Sequence, residues 1–290
     1  MSTIYRRPRW LLLVALMALT ALAVAACGGS SKSSGANAAS SQSLNGELVN
    51  AGTLTVATTG ASAPLTYTNE SGQLIGLWPE MATMIAHKLG LNISLQKIAW
   101  EGLLPGVTAH RFDIGDGGII ETEERLHSHS FIMSVPFLRY GVTALTKAGS
   151  GLATWKSLGG KVIGGVRGEQ ETATAESYLK SIGSPASSVV QYTGHTEGIL
   201  GLTSGRISAF VLDSGSGVYA KNKTSAGKGF TLVEPFVSVA SAGTAFAPSE
   251  KNVAKKVDAV IEEMIADGTV KQLAEKWYGS GAIAATSTKD

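Results

Sequence analysis

The sequence predicts an α/β fold. Short strand-like runs alternate with helix-like stretches along most of the chain, and glycines or turn clusters punctuate nearly every switch. Hydrophobic residues make up 44% of the 290 and glycines number 35, enough for a real core joined by tight turns.

The elements follow in order. Thr53 to Thr59 alternates with Leu54 and Val56 and reads as a strand. After Ala63-Pro64-Leu65 and the turn Asn69-Glu70-Ser71-Gly72, Pro79 sits where a first helical turn tolerates it. Met81, Ala82, Ile85, Ala86 and Leu89 then recur at helical spacing, and Gly90 ends that helix. Leu91, Ile93 and Leu95 predict a strand, and Leu103 to Ala109 a short helix. Further on, Phe131–Val135 and Val142–Thr146 read as strands and Trp155–Gly160 as a loop or short helix. Lys161–Val166 is a strand, Thr172–Ile182 a helix, Ser188–Tyr192 a strand and Thr196–Ser204 a helix closed by Gly205. Ser208–Leu212 is a strand that exits at Asp213; Gly215–Lys221 is helical and Phe230–Val233 extended. Gly243–Ala247 predicts a strand, and Glu250–Asp267 a helix with Val253, Val257, Val260, Ile261, Met264 and Ile265 on one face. Gly268 ends it, and Thr269 opens a final helix through Tyr278.

Before these elements lie two segments of another kind. Arg6, Arg7 and Arg9 precede an uncharged apolar run from Trp10 to Ala26, a basic n-region and an h-region of a signal peptide over 1–26. Val24-Ala25-Ala26-Cys27 resembles the bacterial lipobox, which implies lipidation of Cys27, the only cysteine, as the mature N-terminus. The protein is then expected to be exported and anchored to the cell membrane, facing the periplasm or cell exterior. Of the 16 residues from Gly28 to Ser43, 13 are Gly, Ser or Ala, so 27–44 reads as a flexible tether. Removing the three arginines leaves 21 basic against 22 acidic residues, with no basic stripe for a nucleic-acid partner.

The chemistry concentrates in Phe112 to Arg125, Phe-Asp-Ile-Gly-Asp-Gly-Gly-Ile-Ile-Glu-Thr-Glu-Glu-Arg. Its glycines allow close backbone approach. Thr122 is a good N-cap, and Arg125 carries the fork that grips a carboxylate with parallel bonds. The competing reading is an exposed Glu121–Arg125 ion pair on a helix face.

From about Gly52 to Gly279 the chain resembles bacterial extracellular solute-binding proteins of family 3. The motifs run in order: Gly52-Thr53-Leu54-Thr55-Val56, Gly72-Gln73-Leu74-Ile75-Gly76, Trp100-Glu101-Gly102-Leu103-Leu104-Pro105, Thr122-Glu123-Glu124-Arg125, Gly205-Arg206-Ile207-Ser208-Ala209 with Asp213, and Lys276-Trp277-Tyr278-Gly279. The resemblance implies a two-lobe, type II periplasmic-binding fold serving an ABC importer of amino acids. Its first lobe would span 45–142 and 243–280, its second 143–242, with 281–290 a tail. Hinge segments would lie near Val142–Thr146 and Gly243–Ala247. It also implies that Arg125 holds a solute carboxylate, that Asp213 takes its ammonium group, and that Gly118, Trp100 and Ser62 line the cleft. Read without the family, Asp213 could be an ordinary helix N-cap, and Trp100 a core residue.

Several positions depart from the family pattern. Ile120 stands where a Ser or Thr hydroxyl is usual, and Trp78 where an aspartate is common. Glu169 and Gln170 replace small hydroxyl residues. Asp116, Glu169 and Asp213 together would make an acidic cleft suited to a basic amino acid or related cation. No cofactor or metal is expected: His127-Ser128-His129 has no nearby Cys or third His. A monomer partnered by a membrane permease is expected. The rival class is an enzyme, a dehydratase of cyclic acids on the same fold, for which Glu169 is the general-acid candidate.

Overall fold

The structure is a computed structural model and describes residues 44–224 and 226–279. The signal segment, Cys27, nearly all of the tether and the tail at 281–290 lie outside the described residues. The described chain begins in contact with the core. Leu44, placed in the tether by its neighbours' composition, is fully buried in the first lobe. Leu48 joins it in that core, and Glu47 accepts from the Asn252 and Val253 N–H groups, so apolar burial and helix capping together dock the segment.

Two lobes form. In the first, β1 (Thr53–Thr58) pairs in parallel with β5 (Asn92–Lys97), and Ile114 bridges β1 to Phe246. Phe246 belongs to β14 (Ala245–Phe246), which pairs with β7 (Ile132–Met133). A hairpin of β2 (Ala61–Ser62), β3 (Thr66–Thr68) and β4 (Leu74–Ile75) stands beside it. The apolar face of α1 (Leu77–Lys88) and those of the two C-terminal helices, Lys251–Ala266 and Thr269–Tyr278, share one core. Val253, Val257, Val260, Ile261 and Met264 are buried there as their spacing predicts; Ile265 is only partly covered. A smaller cluster lies under α2 (Trp100–Thr108).

The second lobe is built on β9 (Val162–Val166), β10 (Ser188–Tyr192), β11 (Ala209–Asp213) and the outer half of β8 (Leu138–Lys147), with β12 (Phe230–Leu232) alongside. Strand periodicity sends alternate residues to opposite faces. Ala209 and Val211 face the helix Gln170–Ser181, while Phe210 and Leu212 face the helices His195–Ser204 and Ser214–Lys223.

The lobes are joined by β8 and β13 (Val237–Gly243), antiparallel neighbours with an irregularity between Val237 and Ala240. Strand β13 escapes the sequence reading because Val-Ser-Val-Ala-Ser-Ala-Gly is weakly patterned and mostly small. Core membership changes between Tyr140 and Val142 on one strand, and between Val237 and Ala240 on the other. The crossing therefore precedes both segments expected for it: Val142–Thr146 pairs within the second lobe, and Ala245 and Phe246 are already first-lobe core.

Candidate functional site

A cleft between the lobes encloses about 410 Å³ of space, part of it open to solvent. All nine residues singled out from the sequence line it: Ser62, Trp100, Asp116, Gly118, Ile120, Arg125, Glu169, Gln170 and Asp213. Thr59, Leu65, Tyr140, Glu171 and His195 line it too and were not anticipated.

Arg125 sits in a single helical turn, α3 (Glu123–Leu126). Thr122 caps that turn, its Oγ1 accepting from Arg125 N at 3.2 Å. One turn offers little dipole, so the guanidinium itself must supply the positive charge. It does not form the exposed ion pair with Glu121. Its Nη1 donates instead to the Ile120 carbonyl at 2.8 Å, which aims the side chain into the cleft. Ile120 thus contributes a backbone oxygen that orients the cation in place of a hydroxyl for the solute. Desolvation lowers the Arg125 pKa, with Glu171 opposing from across the cleft. The group remains charged at any physiological pH.

Asp116 and Gly118 shape the floor. Asp116 is 1% exposed, and its Oδ2 accepts from Thr58 Oγ1 at 3.0 Å and from Thr59 N at 2.9 Å, fixing the end of β1. Burial raises its pKa, and the hydrogen bonds partly offset that rise. The Gly118 carbonyl accepts from the Tyr140 hydroxyl at 2.6 Å, and a Cβ on Gly118 would come within 2.5 Å of Leu65. Glycine is needed there for space.

The second lobe supplies carboxylates. Asp213 is the N-cap of the helix Ser214–Lys223, with Oδ1 accepting from Ser216 N at 2.8 Å, and it also faces the cleft. The ordinary capping role and exposure to the cleft coexist, because a carboxylate has two oxygens. Glu169 points inward: its side chain is 10% exposed and its Oε2 lies 3.6 Å from His195 Nε2. The helix expected from Thr172 begins at Gln170 with Glu169 at its N-cap, which places Glu171 in the first turn, 7% exposed. Burial, then Glu169 and Asp213, raise the Glu171 pKa to about 8. Desolvation also raises Asp213. For His195, desolvation pulls the pKa down, but Glu169, Asp213 and Glu171 together leave it raised. Glu171 and His195 had one sequence signal, polar residues just after Gly168 and Gly194 at helix starts, but nothing in the order of residues brings those two helices together.

Trp100 is half-buried at the cleft edge, not a core residue. Its indole N–H donates to the Gly168 carbonyl of the opposite lobe at 2.8 Å. Beside it Arg167 and Glu101 approach to 3.6 Å. Trp78 is wholly buried and stacks on Phe137, centroids 5.5 Å apart, so it is core and not cleft.

Among the described residues one grouping has metal-ligand geometry, His110, Asp113 and Glu250, none of which lines the cleft. Its carboxylates already accept from Val49, Thr55 and Ala247 backbone N–H groups, which explains it as a clamp on three chain segments. His127 is exposed and bonds to Glu123 O at 2.9 Å.

Comparison with known proteins agrees with the fold. The sequence profile of "Bacterial extracellular solute-binding proteins, family 3" matches residues 54–280. The chain is 28% identical over 236 residues to the L-cystine-binding protein TcyJ of Escherichia coli (strain K12), covering 79% of this chain and 84% of the relative. Its structure is similar to that of an ancestral arginine-binding protein bound to glutamine, with TM-score 0.69, 28% identity, and coverage of 79% and 99%. A shorter match, 35% identical over 99 residues, reaches a cyclohexadienyl dehydratase of Pseudomonas aeruginosa and covers 34% of this chain and 36% of that one. With the profile spanning most of the sequence and both lobes in place, the chain belongs to the bacterial extracellular solute-binding proteins of family 3.

Proposed function

We propose that this protein captures an amino acid, or a related small amine-bearing solute, in the inter-lobe cleft and delivers it to the permease of an ABC importer. The observation that carries this reading is that Arg125 and Asp213 reach one cleft from opposite lobes. Arg125 has donors left after its bond to Ile120 to grip a carboxylate. Asp213 keeps an oxygen for an ammonium group. Gly118 offers backbone, Trp100 and Ser62 form walls, and Gln170 adds an amide. Asp116, Glu169 and Asp213 stand against Arg125 and His195 among the cleft's charged groups, with Glu171 holding its proton near neutral pH, so an ammonium group on the solute is favoured beside its carboxylate. The two lobes, exchanging between Tyr140 and Val142 and between Val237 and Ala240, close over the solute by hinge bending. Removal of 1–26 and lipidation of Cys27 hold the monomer at the outer face of the membrane.

The test is a thermal-shift screen of the purified full-length chain against amino acids, amines and small organic acids. A solute at 100 times its Kd raises stability by about 2.7 kcal/mol. A shift with amino acids that Arg125→Ala removes supports the reading. Shifts with organic acids lacking an amine would overturn it.

A second reading has its own observation. Glu171 is a buried carboxyl that holds its proton near neutral pH, as a general acid must, and the chain partly matches a dehydratase. In that reading Glu171, and not Glu169, carries the proton. Turnover of prephenate-like cyclic acids by the wild-type chain, abolished in Glu171→Gln, would establish it.

A further inference from the structure

Beside the cleft lies a second chamber of about 900 Å³, its open mouth included, more than twice the 410 Å³ of the first. The hairpin residues Ala61 and Tyr67 wall it on one side, and Ile199, Tyr219 and Phe230 of the second lobe on the other. His195 lines both spaces. It is 5% exposed, its Nε2 faces Glu169, and its Nδ1 has no hydrogen-bond partner. Ser216, 1% exposed, lines the chamber with an unpartnered hydroxyl. Buried polar atoms without partners are costly, and two of them on one wall mark a place where a ligand can bond.

The two spaces differ in chemistry. The cleft holds four carboxyl groups and Arg125. Among the described residues no Asp, Glu, Lys or Arg lines the chamber, which apart from His195 is walled by apolar side chains, hydroxyls and backbone. A charged group placed there would lose its hydration without a partner, whereas an apolar or weakly polar group would gain by burial.

We infer that the chamber is a second subsite of the same solute: the charged head stays between Arg125 and Asp213, and a bulky uncharged end passes His195 into the chamber. This rests on the capture reading above and narrows it. The solute class is an α-amino acid or amine with a bulky uncharged end, its stem passing His195 and its tip near Ser216; a ring N–H or hydroxyl on that end would have His195 Nδ1 and the Ser216 hydroxyl as partners. Positive charge favoured by the acidic cleft belongs to the head, not to the tip.

The experiment uses calorimetric titration of the full-length chain with alanine and serine, with methionine, phenylalanine and tryptophan, and with lysine and arginine. The bulky uncharged group is expected to bind most tightly. Ile199→Trp, which fills the chamber from the helix His195–Ser204, is expected to lower the phenylalanine-to-alanine affinity ratio by about tenfold or more. Thr196→Trp, exposed at the rim, gives the same readout if the first variant does not fold. An unchanged ratio in a folded variant overturns the chamber and leaves the capture reading intact. So does tighter binding of lysine or arginine than of every uncharged probe. Binding of no α-amino acid by the wild type overturns both.

Discussion

Replacing Arg125 by lysine keeps the charge and removes the fork, so it separates electrostatics from geometry. In the structure one guanidinium nitrogen is committed to the Ile120 carbonyl at 2.8 Å. The remaining N–H groups are still arranged to meet a carboxylate with two parallel bonds. Lysine has a single nitrogen, which cannot both hold Ile120 O and present that pair. The variant should therefore lose about one charge-assisted hydrogen bond to the solute, about 1.5–3 kcal/mol. At 1.4 kcal/mol per factor of ten, this corresponds to a Kd weaker by about 10- to 150-fold. Calorimetric titration with an amino acid that binds the wild type measures it. A thermal melt without solute should show little change, because no core contact is lost. A Kd within about twofold of wild type would refute the placement of the carboxylate at Arg125.

Other outcomes follow from the same geometry. Trp100→Phe keeps an aromatic wall but removes the 2.8 Å bond to Gly168 that ties the lobes together, at a solvent-accessible carbonyl. A loss of about 0.5–1 kcal/mol is expected from the closed state alone, seen as a Kd weaker by about two- to fivefold. Gly117→Ala would place a Cβ 2.5 Å from the buried Trp78 ring, and urea melts should show destabilisation of about 1–3 kcal/mol. Glu171 has its folded-state pKa raised from 4.5 to about 8, so the native state retains a proton there that the unfolded chain releases. Its contribution is fully present below pH 4.5 and is lost as pH rises toward 8. Glu171→Gln should therefore flatten the decline in stability across that window; melts whose pH dependence matches wild type would contradict the buried carboxyl.

The sequence by itself determined the class of fold and the residues from which the cleft could be built. Period-two alternation and helical spacing depend on near neighbours, and they survive intact in β11 and in the helix Lys251–Ala266. Glycine punctuation and the Thr122 cap are also local, and both are found where the pattern puts them. What local pattern cannot carry is convergence. Arg125 and Asp213 are 88 residues apart, and only the crossing of β8 and β13 brings their lobes face to face. That crossing was displaced from expectation because small residues such as those of Val237–Gly243 leave no hydrophobic signature. Composition assigns Leu44 to the tether, although with Leu48 it is buried in the first-lobe core. Tyr140, Glu171 and His195 became cleft residues for the same reason. Their side chains read as ordinary polar positions until the tertiary structure removed their water, raised their pKa values and set them around one space.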